Sequence, residues 1–373
     1  MTTPVPVNEP LLDGNELAYL QECIETGWVS SDGPFVARLE REFAARVGRA
    51  HGIAVCNGSV ALDAAVVALD LGPGDEVIMP TFTIISCAAA VVRAGATPVL
   101  VDSDPVTWNM RVDQVAARIT PRTRAIMVVH IYGLPVDMAP LMDLAASHGL
   151  RVIEDAAEMH GQTYRGRPCG SFGDVSVFSF YPNKHVTTGE GGMLVTDDPA
   201  LAERLRSLRN LCFKPGRRFV HDELGWNFRM SNVQAALGVA QLERLDDTVA
   251  RKRRMGRQYA EALRDVPGIQ LSPAASGGDE SVFWVYGIVL DDAVPMDATE
   301  VCRRLGERGI GTRPFFWPMH EQPVFAKMGL FVGERYPVAE RIARRGFYLP
   351  SGVALTAAQI GTAADALRQV LGA

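Results

Sequence analysis

The chain has 373 residues, of which 47% are hydrophobic and 21% charged, and a formal net charge of −6. These values fit a soluble globular protein with a sizeable core and argue against the basic footprint of a nucleic-acid binder. No run approaches the roughly 18 apolar residues of a membrane helix, and the N-terminus lacks the basic and apolar regions of a signal peptide. Residues 52–56, 76–79, 98–102, 125–130, 151–154, 175–180 and 192–196 read as strands. Most are near-continuous in Val, Ile and Ala, the pattern of strands covered on both faces. Between them, residues 59–69 form a helix that starts at Ser59 and stops at Gly72-Pro73, and residues 140–148 form one that stops at Gly149. This βα rhythm predicts a mostly parallel sheet with helices on both sides.

The last third reads as a compact α+β unit. Ser231-Asn-Val-Gln234 has the form of a capping box. The helix it opens runs toward Thr248 and continues, after a break, over 251–263. Residues 276–279 read as a flexible loop, 282–290 as a strong strand, 297–309 as a helix, 310–315 as a short strand and 356 onward as a final helix. The expected organisation is an N-terminal arm over 1–13, a large α/β domain over 14–250 and a small α+β domain over 251–373. The basic run Arg251-Lys252-Arg253-Arg254 reads as the solvated face of a helix. Six cysteines (Cys23, Cys56, Cys87, Cys169, Cys212, Cys302) lack Cys-x-x-Cys spacing. That favours reduced thiols in a cytoplasmic enzyme over a disulfide frame or a metal site.

Chemistry concentrates in Ser179-Phe-Tyr-Pro-Asn-Lys184-His-Val-Thr-Thr-Gly-Glu-Gly-Gly192. A single Lys follows a buried strand and precedes a Gly-rich turn. Such an amine becomes a Schiff-base nucleophile only where desolvation or positive neighbours depress its pKa. Upstream, Arg151-Val-Ile-Glu-Asp155-Ala-Ala-Glu158 places a carboxylate at the end of a parallel strand, where α/β folds hold their ligands. Pyridoxal phosphate acts as an electron sink only while its ring nitrogen is protonated, and an ionised aspartate enforces this. Asp155 suits that role; as a plain structural residue it would cap a following helix. Third, Cys56-Asn-Gly58-Ser59-Val60 joins a strand to a helix, and amides at a helix start with a Ser hydroxyl form an anion site. Ser179 supplies a second hydroxyl for the same phosphate.

In this order, Asn-Gly-Ser, Glu-Asp-Ala-Ala-Glu, Ser-Phe-x-x-x-Lys, Gly-Glu-Gly-Gly and Phe-Arg-Met-Ser resemble the DegT/DnrJ/EryC1/StrS sugar aminotransferases, from about Leu12 to the C-terminus. The segments Gly27-Trp-Val-Ser-Ser and Arg313…Pro318-Met-His320 share the resemblance. It implies the aspartate-aminotransferase fold (fold type I) and a homodimer with shared active sites, acting on a nucleotide-linked keto sugar with an amino acid, glutamate by family habit, as donor. By resemblance Lys184 is the Schiff-base lysine and proton shuttle. Asp155 holds the pyridine nitrogen, and Glu158, a position often Gln in relatives, lies near the ring hydroxyl. Gly58, Ser59, Val60 and Ser179 bind the phosphate, and Asn227 reaches it from the partner subunit. Arg313 and His320 contact the sugar nucleotide or the donor.

Two departures stand out. Where relatives commonly place an aromatic ring on the cofactor face, this chain has Ile84, so either the nearby Phe82 stacks instead or aliphatic packing covers the ring. A subgroup that dehydrates the sugar at its 3-position carries His in place of the Schiff-base lysine. Retention of Lys184 favours transamination. Within the family, Thr187–Gly192 and Trp226–Ser231 are most similar to the perosamine-forming subgroup, which aminates a GDP-linked 4-keto-6-deoxymannose. Readings left open are a 3-keto sugar, a cyclitol or an aminohydroxybenzoate-type product, a dehydratase, and a binding protein with a vestigial cofactor.

Overall fold

The computed structural model describes residues 4–372 apart from 215, 218 and 277. In chain order the first strands are β1 (His51–Val55), β2 (Glu76–Pro80), β3 (Thr97–Val101), β4 (Thr123–Val129) and β5 (Arg151–Asp155). A small hairpin, β6 (Thr163–Tyr164) and β7 (Arg167–Pro168), precedes β8 (Val175–Ser179) and β9 (Gly192–Thr196). One seven-stranded sheet has the order β1-β9-β8-β5-β4-β2-β3. The pairs from β8 to β3 are parallel, while β9 runs antiparallel to both of its neighbours.

Strand alternation divides this sheet's side chains between two cores. Ile53 and Val55, Val77 and Met79, and Met127 and Val129 join the core shared with the helices Gly58–Ala68, Ile85–Arg93 and Pro199–Arg209. Ala54, Ile78, Ile126 and Val128 join the opposite core, under Pro34–Val47, Met138–His148 and Asn232–Leu242. Covered on both faces, the strands have no polar side to show, which explains their unbroken apolar runs.

A second sheet collects β10 (Ile269–Leu271), β13 (Tyr286–Leu290), β14 (Arg313–Pro314) and β15 (Gly346–Leu349) in the order β10-β13-β15-β14. The hairpin β11 (Ala275–Ser276) and β12 (Asp279–Glu280) lies between the first two of these. It occupies the expected loop at 276–279, of which residue 277 lies outside the described residues. The strand expected from 282 begins only at Tyr286, because Phe283 takes a left-handed φ of 47° and turns the chain.

The capping box at Ser231 and Gln234 forms as predicted. The helix it opens ends at Leu242, and a new helix runs over Leu245–Leu263. Along that second helix, Leu245 and Val249 enter the core beneath the large sheet, whereas Met255, Tyr259 and Leu263 enter the core of the small one. The change of core falls inside a continuous helix. The basic run in this helix is not a solvated face. Arg251 pairs with Asp247, but Lys252 is 1% exposed. Its Nζ donates to the carbonyls of Trp284 (2.8 Å) and Ser351. The arm is tied to the second half of the chain. Val5 bridges to Ile310, and Val7 O accepts from Ser351 N at 2.9 Å.

Candidate active site

Parallel strands bring their carboxyl ends to one edge. β1 leads there into Asn57, β5 ends on Asp155, and β8 ends on Ser179 just before Lys184. A cleft of about 730 Å³ opens at this edge, lined among others by Gly58, Ser59, Val60, Asp155, Glu158, Ser179 and Lys184. Seven residues scattered over 127 positions of sequence therefore face one cavity.

Lys184 lies in the turn that returns the chain from β8 to the antiparallel β9. Its Nζ sits 3.6 Å from Glu158 Oε1 and 3.6 Å from the centre of the Trp284 ring. Burial lowers the pKa of this amine against the opposing pull of Glu158 and Asp155. Burial likewise raises that of Glu158, against Lys184. Both shifts lead toward neutral forms, the condition under which a lysine amine is available as a base. The other Glu158 oxygen accepts from Tyr132 N at 2.7 Å.

Asp155 is 3% exposed. One oxygen accepts from Ala157 N at 3.0 Å, and the other from the Cys87 thiol at 3.2 Å. Turns rather than a helix follow it, so it caps no helix. Burial raises its pKa, with Ala157, Cys87 and Lys184 opposing. No cation hydrogen-bonds this carboxylate among the described residues. A buried anion so placed calls for a positively charged donor from outside the chain, and a protonated pyridine nitrogen meets that demand.

At the far end of the cleft, the helix Gly58–Ala68 begins. Its cap is Asn57, not Ser59: Asn57 Oδ1 accepts from Val60 N at 3.0 Å. The Val60 amide is thereby occupied. Gly58 and Ser59 lie at the helix start, where backbone donors lack intrahelical acceptors. A Cβ on Gly58 would come within 2.8 Å of Ser179 Cβ, so only glycine lets the two strand ends approach this closely. The Ser59 hydroxyl meets that of Ser86 at 2.7 Å. Two hydroxyls, free amides and a positive helix end form a fitting cradle for a phosphate.

Ile84 is 43% exposed and lines the cleft, while Phe82 is fully buried among Tyr132, Phe315 and Phe316. The aliphatic alternative therefore describes this wall. Three expected site residues lie off the cleft. Asn227 is exposed and bridges to Asn210. Arg313 is exposed and pairs in register with Tyr348, which does line the cleft. His320 is buried between Thr81 Oγ1 (2.9 Å) and Glu340 (3.2 Å), itself paired with Arg335. Trp284, Tyr348, Phe316, Asn183 and Thr83 line the cleft without having been singled out in the sequence. Trp284 falls within residues 282–290, which read only as a strand; the left-handed Phe283 beside it has no signal in the sequence. All six cysteines are unpaired, and no helix among the described residues is long and apolar enough to cross a membrane.

A mostly parallel sheet whose carboxyl edge carries a buried lysine, an aspartate and a phosphate cradle defines a fold-type I pyridoxal-phosphate enzyme. The DegT/DnrJ/EryC1/StrS aminotransferase family profile matches residues 10–368. The chain belongs to that family and is a pyridoxal-phosphate-dependent aminotransferase. It is 44% identical over 367 residues to the GDP-perosamine synthase of Caulobacter vibrioides, covering 98% of each chain. To the GDP-perosamine synthase of Escherichia coli O157:H7 it is 39% identical, covering 95% of each. Among solved structures, 3-amino-5-hydroxybenzoic acid synthase superposes with a TM-score of 0.91 at 30% identity over 100% of both chains.

Proposed function

We propose that this aminotransferase moves an amino group from glutamate to a nucleotide-linked keto sugar, GDP-4-keto-6-deoxymannose, giving GDP-perosamine. The observation that carries the substrate is the near-full-length similarity to two GDP-perosamine synthases. When bound, pyridoxal phosphate supplies the electron sink for the carbon that loses its proton. The chain does the rest. Lys184 Nζ would hold the cofactor and, as a free amine, would take the donor's Cα proton and give it back on the same face, as general base then acid. Its burial-lowered pKa suits the first of these tasks. Asp155 would keep the proton on the ring nitrogen, and Glu158 would serve the ring hydroxyl. Gly58 and Ser59 amides with the Ser59 and Ser179 hydroxyls would anchor the phosphate, and Val60 shapes the cradle through its bond to Asn57.

Asn227 would serve the phosphate of a neighbouring copy, which makes the working enzyme a two-fold homodimer, and six unpaired cysteines suit a cytoplasmic setting. The exposed position of Asn227 outside its own cleft supports the dimer. Arg313 acts at the rim near Tyr348, and His320 supports the wall through Thr81.

Borohydride reduction of the loaded protein, followed by peptide mass spectrometry, is expected to find the cofactor on Lys184. Lys184→Ala is expected to lose both the visible absorption of that linkage and all amine transfer; retained transfer would overturn the assignment. A mass-spectrometric screen of GDP- and dTDP-linked 3- and 4-keto sugars with glutamate is expected to show amination of the GDP-linked 4-keto sugar. Amination of a dTDP-linked or 3-keto sugar alone would overturn the substrate. Sedimentation is expected to give a dimer.

A further inference from the structure

Lys184 is also held by a side chain from outside the strands of the large sheet. Trp284, 4% exposed, comes from the segment just before β13, on the side of the small sheet. Its ring face meets Lys184 Nζ at 3.6 Å. Its indole N–H donates to the carbonyl of Asn183 at 2.8 Å, the residue directly before the lysine. One side chain thus grips both the backbone beside Lys184 and the amine at its end.

Trp284 is itself fixed at its main chain. The Lys252 ammonium, on the helix that joins the two cores, donates to Trp284 O and to Ser351 O. On the other side, a Cβ at Gly133 would come within 2.6 Å of Trp284 N, so glycine is needed for the backbones to touch. Tyr132 packs against the indole at 5.9 Å with the planes 34° apart. A lysine buried on an interdomain helix with two carbonyl acceptors costs desolvation and gives little packing in return. Its placement is accounted for if holding Trp284 is its purpose.

We propose that Trp284, braced by Lys252, is a positioning residue that fixes the Lys184 amine in the cleft and stabilises positive charge on its nitrogen. The inference rests on Lys184 being the cofactor-bearing lysine. A ring face within about 6 Å of a cation attracts it through the ring quadrupole, most strongly for tryptophan. Glu158 and Asp155 also favour the charged amine, whereas burial opposes it. His160 and His185 pack nearby, both driven toward their neutral forms by burial, and Tyr132 stays protonated for the same reason. Among these, Trp284 is the group whose contribution can be altered without changing any ionisable side chain.

The test is a pH titration of the visible absorption of the Lys184–cofactor linkage in the holoenzyme. Trp284→Leu is expected to lower its midpoint by about half a unit to one unit. Fluorinated tryptophan at position 284 keeps the shape and the N–H but weakens the ring quadrupole. Successive fluorination is expected to lower the midpoint in graded steps, and this series guards against a Leu variant that does not fold. An unchanged or raised midpoint across the fluorinated series overturns the proposal. Borohydride trapping on the wild-type protein separates the two readings. If no cofactor is found on Lys184, the functional reading falls and takes this inference with it. If trapping succeeds and the midpoint does not move, the inference alone falls.

Discussion

Glu154 and Asp155 are neighbours on β5, yet they end in opposite electrostatic worlds. Glu154 points to the side where it receives His130 Nε2 at 3.1 Å, the amides of Gly170, Phe172 and Gly173, and the hydroxyl of Ser176 at 2.9 Å. Val136 N donates to His130 Nδ1, which leaves the proton on Nε2 and makes that histidine a donor to Glu154. Despite complete burial, the carboxyl is held below the usual range by these donors. Asp155 and Glu158, toward the cleft, have fewer donors, and burial raises both. The saturated carboxylate stabilises the fold; the underserved ones are kept for a ligand. Perturbed acids at a cleft mark function in this sense, and the protein tolerates the cost because the neighbouring nest stabilises the same strand.

That contrast can be broken in several ways. The largest expected effect is on catalysis: Asp155→Asn lowers amine transfer by roughly 10²–10⁴-fold, measured with saturating cofactor. The unloaded protein should meanwhile gain stability. A carboxyl whose folded pKa is raised loses stability as pH climbs above its unfolded value, about 4. The gain in Asp155→Asn should therefore grow with pH, and a thermal melt showing the opposite trend would break the comparison. Glu154→Ala is next, destabilising by about 3 kcal/mol or more, since it strands five buried donors. In the wild type, the Glu154 contribution is present above its unfolded pKa and lost as pH falls toward the depressed folded value, so acid melts should converge on those of the variant.

Lys252→Met should cost about 1–3 kcal/mol by leaving two carbonyls unpaired. Burial pushes the pKa of Lys252 down to about 7. Between about 7 and the unfolded value near 10.4, the unfolded chain binds the extra proton, so wild-type stability gains a rising term with pH that the Met variant lacks. Denaturant melts at three pH values would reveal it. The smallest effect belongs to Glu158→Gln, which should keep turnover within about tenfold but flatten the pH profile of kcat/KM on its acid side. An unaltered profile would mean that Glu158 does not titrate with the catalytic lysine.

The sequence displayed the large sheet well, because strands covered on both faces have only one way to look. It displayed Lys184, Asp155, Gly58 and Ser179 for a related reason: each lies within a few residues of a strand's end, where position in the strand predicts position in the cleft. What escaped was whatever depends on chain reversals and long-range approach. Asn57 replaced Ser59 as the cap because a side chain two residues earlier reached the amide first. Phe82 turned inward and Ile84 outward through the turn after β2, which no periodicity encodes. Lys252 sat in a run of four basic residues that looked uniformly solvated. Only the meeting of two cores on one helix distinguishes its face from that of Arg251.

The arm docks beside the small sheet through contacts of long sequence separation. Val5 N donates to Gly309 O and Val5 O accepts from Gly311 N, each at 2.8 Å, and Val7 O receives the amide of Ser351. These contacts join residues about 300 positions apart in the chain. Contacts of such separation slow folding because the loop must close before they reward it. The cleft edge, by contrast, is built from elements within residues 51–196. The wall that carries Trp284 shares Ser351 with the arm, so long-range closure there and local assembly of the cleft edge are separate folding events.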